Sequence, residues 1–106
     1  VDIVAPIVPY GDSVYVAGLG DAFCRINATS GAKRWCINLS VGVPFILAGN
    51  YAFVVSTDGN LNAVSLSKGQ IYWRAPVSAQ VAPVYSDGMI TVGHEKIDVA
   101  TGKIIK

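Results

Sequence analysis

An all-β array of about three four-stranded antiparallel blades, a partial β-propeller with a shortened third blade, is the fold this sequence predicts. Three observations predict it. Pro-x4-Gly recurs as Pro6…Gly11, Pro44…Gly49 and Pro83…Gly88. A Gly-x3-Trp ending follows at Gly31…Trp35 and again at Gly69…Trp73, each landmark of the first copy returning 38 residues later. The stretches between are rich in β-formers, and no helical periodicity is sustained over an ~11-residue window. A period near 40 with strand-like content is the mark of a blade array.

The repeats divide the chain at about 2–39, 41–77 and 79–106, within one domain or propeller segment. The first repeat predicts strands at 3–8, 13–17, 22–27 and 33–38. The second predicts them at 43–47, 51–56, 61–66 and 71–76. The third predicts 81–85, 89–92 and 96–99, with a stub at 103–105. These runs hold the Val, Ile, Tyr and Phe of the chain, and Gly, Asp, Asn and Ser fill the gaps.

Turn chemistry supports the same partition. Asp12, Asn50 and Asp87-Gly88 mark a tight turn between the first two strands of each repeat. Asp58-Gly59 joins the second strand to the third, where a type I′ turn needs positive φ; Gly18-Leu19-Gly20-Asp21 holds the matching slot one repeat earlier. Pro6, Pro44 and Pro83 fall in the first strand. A residue without an N–H is tolerated there only if that strand is an edge, as a blade's innermost strand is, or if the proline sits near its end.

The third repeat departs from the others. Gly69 to Gly102 spans 33 residues where 39 would keep the preceding spacing, so about six are missing, at the hairpin that Asp58-Gly59 occupies earlier. Lys106 stands where a tryptophan should be. A symmetric hairpin would set Lys96 against Lys106, and opposed like charges weaken a sheet.

Composition narrows the function classes. Hydrophobic residues make up 52% and charged residues 14%, with eight Lys and Arg against seven Asp and Glu. No basic cluster offers a footprint for nucleic acid, and no apolar run approaches the ~20 residues of a membrane helix. A chain that begins at Val1 rather than Met reads as a processed or excised segment.

A hairpin symmetric about Ser30 places Cys24 directly opposite Cys36, within disulfide range. A bridge there points to an oxidising compartment, periplasmic or extracellular; two buried free thiols are the alternative. Two cysteines and the distant His94 cannot supply the four ligands of a zinc site. Asn27-Ala28-Thr29 and Asn38-Leu39-Ser40 match the glycosylation acceptor pattern, although Asn27 also suits a turn cap.

The segment Ala63-Val64-Ser65-Leu66-Ser67-Lys68-Gly69-Gln70-Ile71-Tyr72-Trp73 resembles the tryptophan-docking repeat of the PQQ-like (quinoprotein-like) β-propellers, Ala-x-Asp-x-x-Thr-Gly-x-x-x-Trp. Arg25 to Trp35 is a looser match, and Lys96 to Lys103 keeps Asp98 and Thr101-Gly102 but loses Ala and Trp. The resemblance covers essentially the whole chain and is nearest to the noncatalytic BamB-type members. It implies structural docking roles for Gly31, Trp35, Ala63, Gly69, Trp73 and Gly102. Ala63, opposite Trp73, leaves room for the indole to lie against the neighbouring blade, and Arg25, opposite Trp35, invites a cation–π contact.

Enzymatic members of that family hold PQQ and calcium, with a dedicated acidic and amide ligand set and often a disulfide between adjacent cysteines. Here the cysteines are twelve apart and the acidic residues are dispersed. Catalytic, cofactor-binding and metal-binding residues are therefore none, and no cofactor is expected. The function expected is a noncatalytic scaffold for protein–protein interaction and assembly in the cell envelope. The alternatives are a subunit of a self-assembling extracellular polymer and a fragment of a PQQ-dependent dehydrogenase. Because propellers close with about 4–8 blades, protein partners or self-association are expected to complete the ring.

Overall fold

The computed structural model describes residues 7–17 and 22–105. Twelve strands fall into three four-stranded antiparallel meanders, and the described residues contain no helix. Blade 1 comprises β1 (Ile7–Tyr10), β2 (Ser13–Ala17), β3 (Ala22–Asn27) and β4 (Lys33–Asn38). Blade 2 comprises β5 (Ile46–Ala48), β6 (Tyr51–Ser56), β7 (Asn60–Ser65) and β8 (Ile71–Pro76). Blade 3 comprises β9 (Val84–Ser86), β10 (Met89–Val92), β11 (Glu95–Asp98) and β12 (Ile104–Ile105).

Four sequence expectations need correction. Pro44 and Pro83 precede β5 and β9 instead of lying within them, although Pro9, paired with Val14, shows that such an edge strand admits a proline. The turn at Asp58-Gly59 is not type I′. Ser56 and Asn60 pair across three residues, Gly59 N–H donates to Ser56 O at 3.1 Å, and Gly59 alone in that loop has a positive φ, 91°. That is a type I turn closed by a glycine bulge. The I′ pattern belongs to Asp87 and Gly88, at φ 50° and 76°. Gly88 thus sits one place later in its turn than Gly49, which accounts for the spacing of 39 between these two glycines where the flanking strands repeat at 38. Lastly, Lys96 pairs with Ile105, one residue short of the partner expected. Blade 2 has a bulge between Ala63 and Val64 that offsets the pairing by one, whereas the β11–β12 ladder runs on without it. Pro6, the 18–21 turn and Lys106 lie outside the described residues.

The shortening of blade 3 falls where the spacing placed it. Gly93-His94 joins strands of four residues, where blade 2 has strands of six and a three-residue loop.

No blade owns a core. Alternation along the strands sends successive side chains to opposite faces. Ala52, Val54 and Val64 therefore meet Tyr15, Ala17 and Phe23 of blade 1. Phe53, Val55, Leu61 and Ala63 meet Ile90, Val92 and Ile97 of blade 3. Both clusters lie between sheets, as the faces of propeller blades should, and three sheets yield two such layers.

Candidate functional site

The junctions between blades are the places where the repeat motif does chemistry. After β3, β7 and β11 the chain makes the same turn. Asn27 N–H donates to Ala32 O and Gly31 N–H to Asn27 O; Ser65 does likewise with Gln70 and Gly69, and Asp98 with Lys103 and Gly102. Asn27 Oδ1 also accepts from the Thr29 and Ser30 N–H groups at 2.9 Å, as Asp98 Oδ1 does from Ala100 at 2.8 Å. Short polar side chains suit this position because they cap backbone donors locally. Asn27 acts as that cap.

The turn presents a glycine as a bare platform. The Trp35 indole of blade 1 covers Gly69 of blade 2 so closely that a Cβ there would lie 2.5 Å from the ring. Trp35 Nε1–H donates to Leu66 O at 2.8 Å. One repeat on, Trp73 covers Gly102, with a Cβ placed 2.6 Å from the ring, and donates to Val99 O at 2.8 Å. Each half-buried indole thus covers apolar surface and has an acceptor for its N–H, as a Trp in such a place requires. Among the described residues nothing lies within 4 Å of where a Cβ on Gly31 would be.

Opposite each indole the blades differ. Ala63 pairs with Trp73 and is buried, leaving space for the ring. Arg25 pairs with Trp35. Its guanidinium N–H groups reach Ser13 Oγ at 2.8 Å, Leu66 O at 3.0 Å and Asp12 Oδ1 at 3.4 Å. Leu66 O therefore accepts from both an arginine and an indole of the adjacent blade. Asp12, also 3.6 Å from Arg34, is held below the ordinary carboxylate range by the Ser13 hydroxyl and then by the two arginines.

A second recurring position is the cross-strand pair on the other face. In blade 1 it is Cys24 and Cys36, joined as a disulfide between β3 and β4. In blade 2 the equivalent pair, 38 residues on, is Asn62 and Arg74. Asn62 is fully buried and satisfied: Nδ2 donates to Val54 O, Ser56 Oγ and Asn60 O, and Oδ1 accepts from Arg74 Nε at 3.0 Å. Ser56 Oγ in turn donates to Asp58, which this bond above all holds below the ordinary carboxylate range. One site in the repeat is closed covalently in one blade and by a buried polar network in the next. Sequence reasoning missed that network, although the 38-residue spacing from the cysteines pointed to it. It also missed Glu95, whose Oε1 accepts from the N–H and hydroxyl of Ser78 at 2.7 and 2.9 Å, tying β11 to the linker between blades 2 and 3.

The calcium of a quinoprotein dehydrogenase needs a convergent set of oxygen ligands. Among the described residues no group of three His, Cys, Asp or Glu could hold a metal ion, so the residues present do not fit that ion. Nor are the bridged cysteines adjacent. No described helix is long and apolar enough to cross a membrane.

Four-stranded blades, the first two each reaching an indole across to the glycine turn of the next, are those of a quinoprotein-like β-propeller with tryptophan docking. Residues 3–105 match the family described as outer membrane protein assembly factor BamB, and the chain belongs to that family. It is 30% identical over 96 residues to the outer membrane protein assembly factor BamB of Burkholderia pseudomallei (strain K96243), a match covering 80% of this chain and 23% of that protein. The chain thus spans about a quarter of that relative's length. Among solved structures it resembles BamB from Moraxella catarrhalis, with a TM-score of 0.78, 18% identity, and coverage of 96% of this chain and 34% of the other. It also resembles quinohemoprotein alcohol dehydrogenase from Comamonas testosteroni, at 0.77, 16%, 93% and 20%. These two likenesses are of fold alone.

Proposed function

We propose that the chain is a noncatalytic β-propeller module, a scaffold for protein–protein interaction in the assembly of outer membrane proteins, working in the periplasm. Family membership supports the setting, and the cross-strand disulfide suits an oxidising compartment. The observation that carries the scaffold role is the apolar surface on both edge strands of blade 3. Val84 and Tyr85 of β9 are 62% and 47% exposed, and Ile104 and Ile105 of β12 are exposed as well. An edge strand with apolar side chains accepts a partner strand by backbone pairing, with the side chains setting specificity.

Completion of the ring belongs to the same reading. The glycine platform at Gly31, bare among the described residues, matches those of Gly69 and Gly102, and an indole from a further blade, of the same or a partner chain, would cover it.

The test is site-specific photo-crosslinking in the envelope, with the reactive group at Val84 or Ile105. Adducts identified by mass spectrometry as components of the outer membrane protein assembly apparatus are expected. A control group at Lys33 should give none. Failure of both edge positions to yield such adducts overturns the reading.

A further inference from the structure

On the rim that carries the Gly49-Asn50 and 66–69 turns, blade 2 holds two aromatic residues that the repeat does not require. Tyr51 begins β6 and Tyr72 lies on β8, with ring centroids 5.6 Å apart and planes 34° from parallel. Tyr72 is 61% exposed. The equivalent positions hold Ser13 and Arg34 in blade 1 and Met89 and Ile105 in blade 3, so blades form without tyrosine at either place. The two rings line a trough of about 430 Å³ together with Asn50, Ser67, Lys68 and Gln70. They also line a second trough, of about 390 Å³, on the side of blade 3. Both volumes fall in the range of small-ligand sites, ~300–1,000 Å³.

We propose that Tyr51 and Tyr72 form a stacking platform for the pyranose ring of a neutral saccharide, with Asn50, Ser67, Lys68 and Gln70 taking its hydroxyl groups. The chemistry favours a sugar over other ligands. A pyranose has an apolar face of polarised C–H bonds that the electron-rich face of an aromatic ring attracts, and a rim of hydroxyls that are both donors and acceptors. Amide and hydroxyl side chains match that rim in both senses. One lysine among neutral groups does not make an anion site. A proline-rich peptide would need aromatic rings standing apart to admit its rings, and these two tyrosines pack on each other, with centroids 5.6 Å apart. The assignment is independent of the scaffold role, since it concerns blade 2 and not the edges of blade 3.

The test uses the protein in its native, full-length form, titrated at millimolar concentration with a β-1,4-linked N-acetylglucosamine tetramer, with maltotetraose and with a proline-rich decapeptide. Amide NMR shifts of Asn50, Ser67–Tyr72 and Asp98–Ala100 report binding. At least one saccharide is expected to move these resonances saturably. Tyr72→Ala, a change at an exposed side chain, should weaken binding roughly five- to tenfold, while Tyr72→Phe keeps it within about twofold. Circular dichroism of both variants checks that the fold is intact, and Lys68→Ala gives a second variant outside the ring pair, expected to weaken binding. No response to either saccharide, a response that Tyr72→Ala leaves unchanged, or binding of the decapeptide alone overturns the assignment. Lack of crosslinks at Val84 and Ile105 leaves it standing.

Discussion

Gly31 and Gly69 hold the same place in the repeat, with φ of 75° and 67°, yet their surroundings differ. In this chain by itself, Gly31→Ala meets only the cost of an L residue in the left-handed region, about 1 kcal/mol. Gly69→Ala adds a methyl group 2.5 Å from the Trp35 ring and must displace the indole from Leu66 O. Its cost should be roughly 3 kcal/mol or more, near that of losing a packed aromatic. Urea midpoints of the two variants check this; equal losses would mean that the indole stacking adds nothing. Acid behaviour is also set residue by residue. Asp12 and Asp58 both titrate below their ordinary value of 3.8 in the folded protein, chiefly through the hydroxyls of Ser13 and Ser56. A depressed carboxylate stabilises the fold in full above its unfolded pKa and loses that contribution as pH falls through the folded value. Stability should therefore be insensitive to these groups between pH 5 and 8 and decline below about pH 4. Asp58→Asn should make that decline shallower while lowering stability at pH 7, as followed by thermal melts across pH. Trp35, Trp73, Gly69 and Gly102 were legible because they recur at a fixed spacing; Glu95 and the hydrogen bonds of Asn62 were not, since neither contact recurs in another blade.

At the scale of strands, the pair at Cys24 and Cys36 can be compared with its counterpart at Asn62 and Arg74. Replacing both cysteines by serine removes a cross-link of sequence separation 12 and should cost about 2–3 kcal/mol. The loss appears as earlier hydrogen exchange in β3 and β4, with β7 and β8 unaffected. Uniform loosening of both blades would refute the local account. Strand existence and hairpin centres were readable from alternation and glycine spacing, and β2, β3, β4, β6, β8 and β10 have the limits expected. The first strand was misplaced in blades 2 and 3 because apolar content does not reveal where along the run pairing begins. The register of β12 was misjudged because a bulge depends on the local turn and leaves no mark in the hydrophobic pattern.

Across the whole molecule, stability resides in two interblade layers, so the chain should behave as a row of units coupled to nearest neighbours. Trp73→Ala removes the indole covering Gly102 and should cost roughly 3 kcal/mol. Native-state hydrogen exchange should then show β10 and β11 opening first while β2 and β3 keep their protection. Simultaneous loss everywhere would instead mean a single cooperative body. The docking geometry also has a consequence for how such chains diversify. The indole and the platform it covers lie far apart in the chain and in different blades, 34 positions for Trp35 and Gly69 and 29 for Trp73 and Gly102. Selection on either residue therefore acts through a neighbour. A viable chimera must move a staggered cassette, from one glycine turn to the next, since a transplant cut cleanly at blade limits would part both contacts at once.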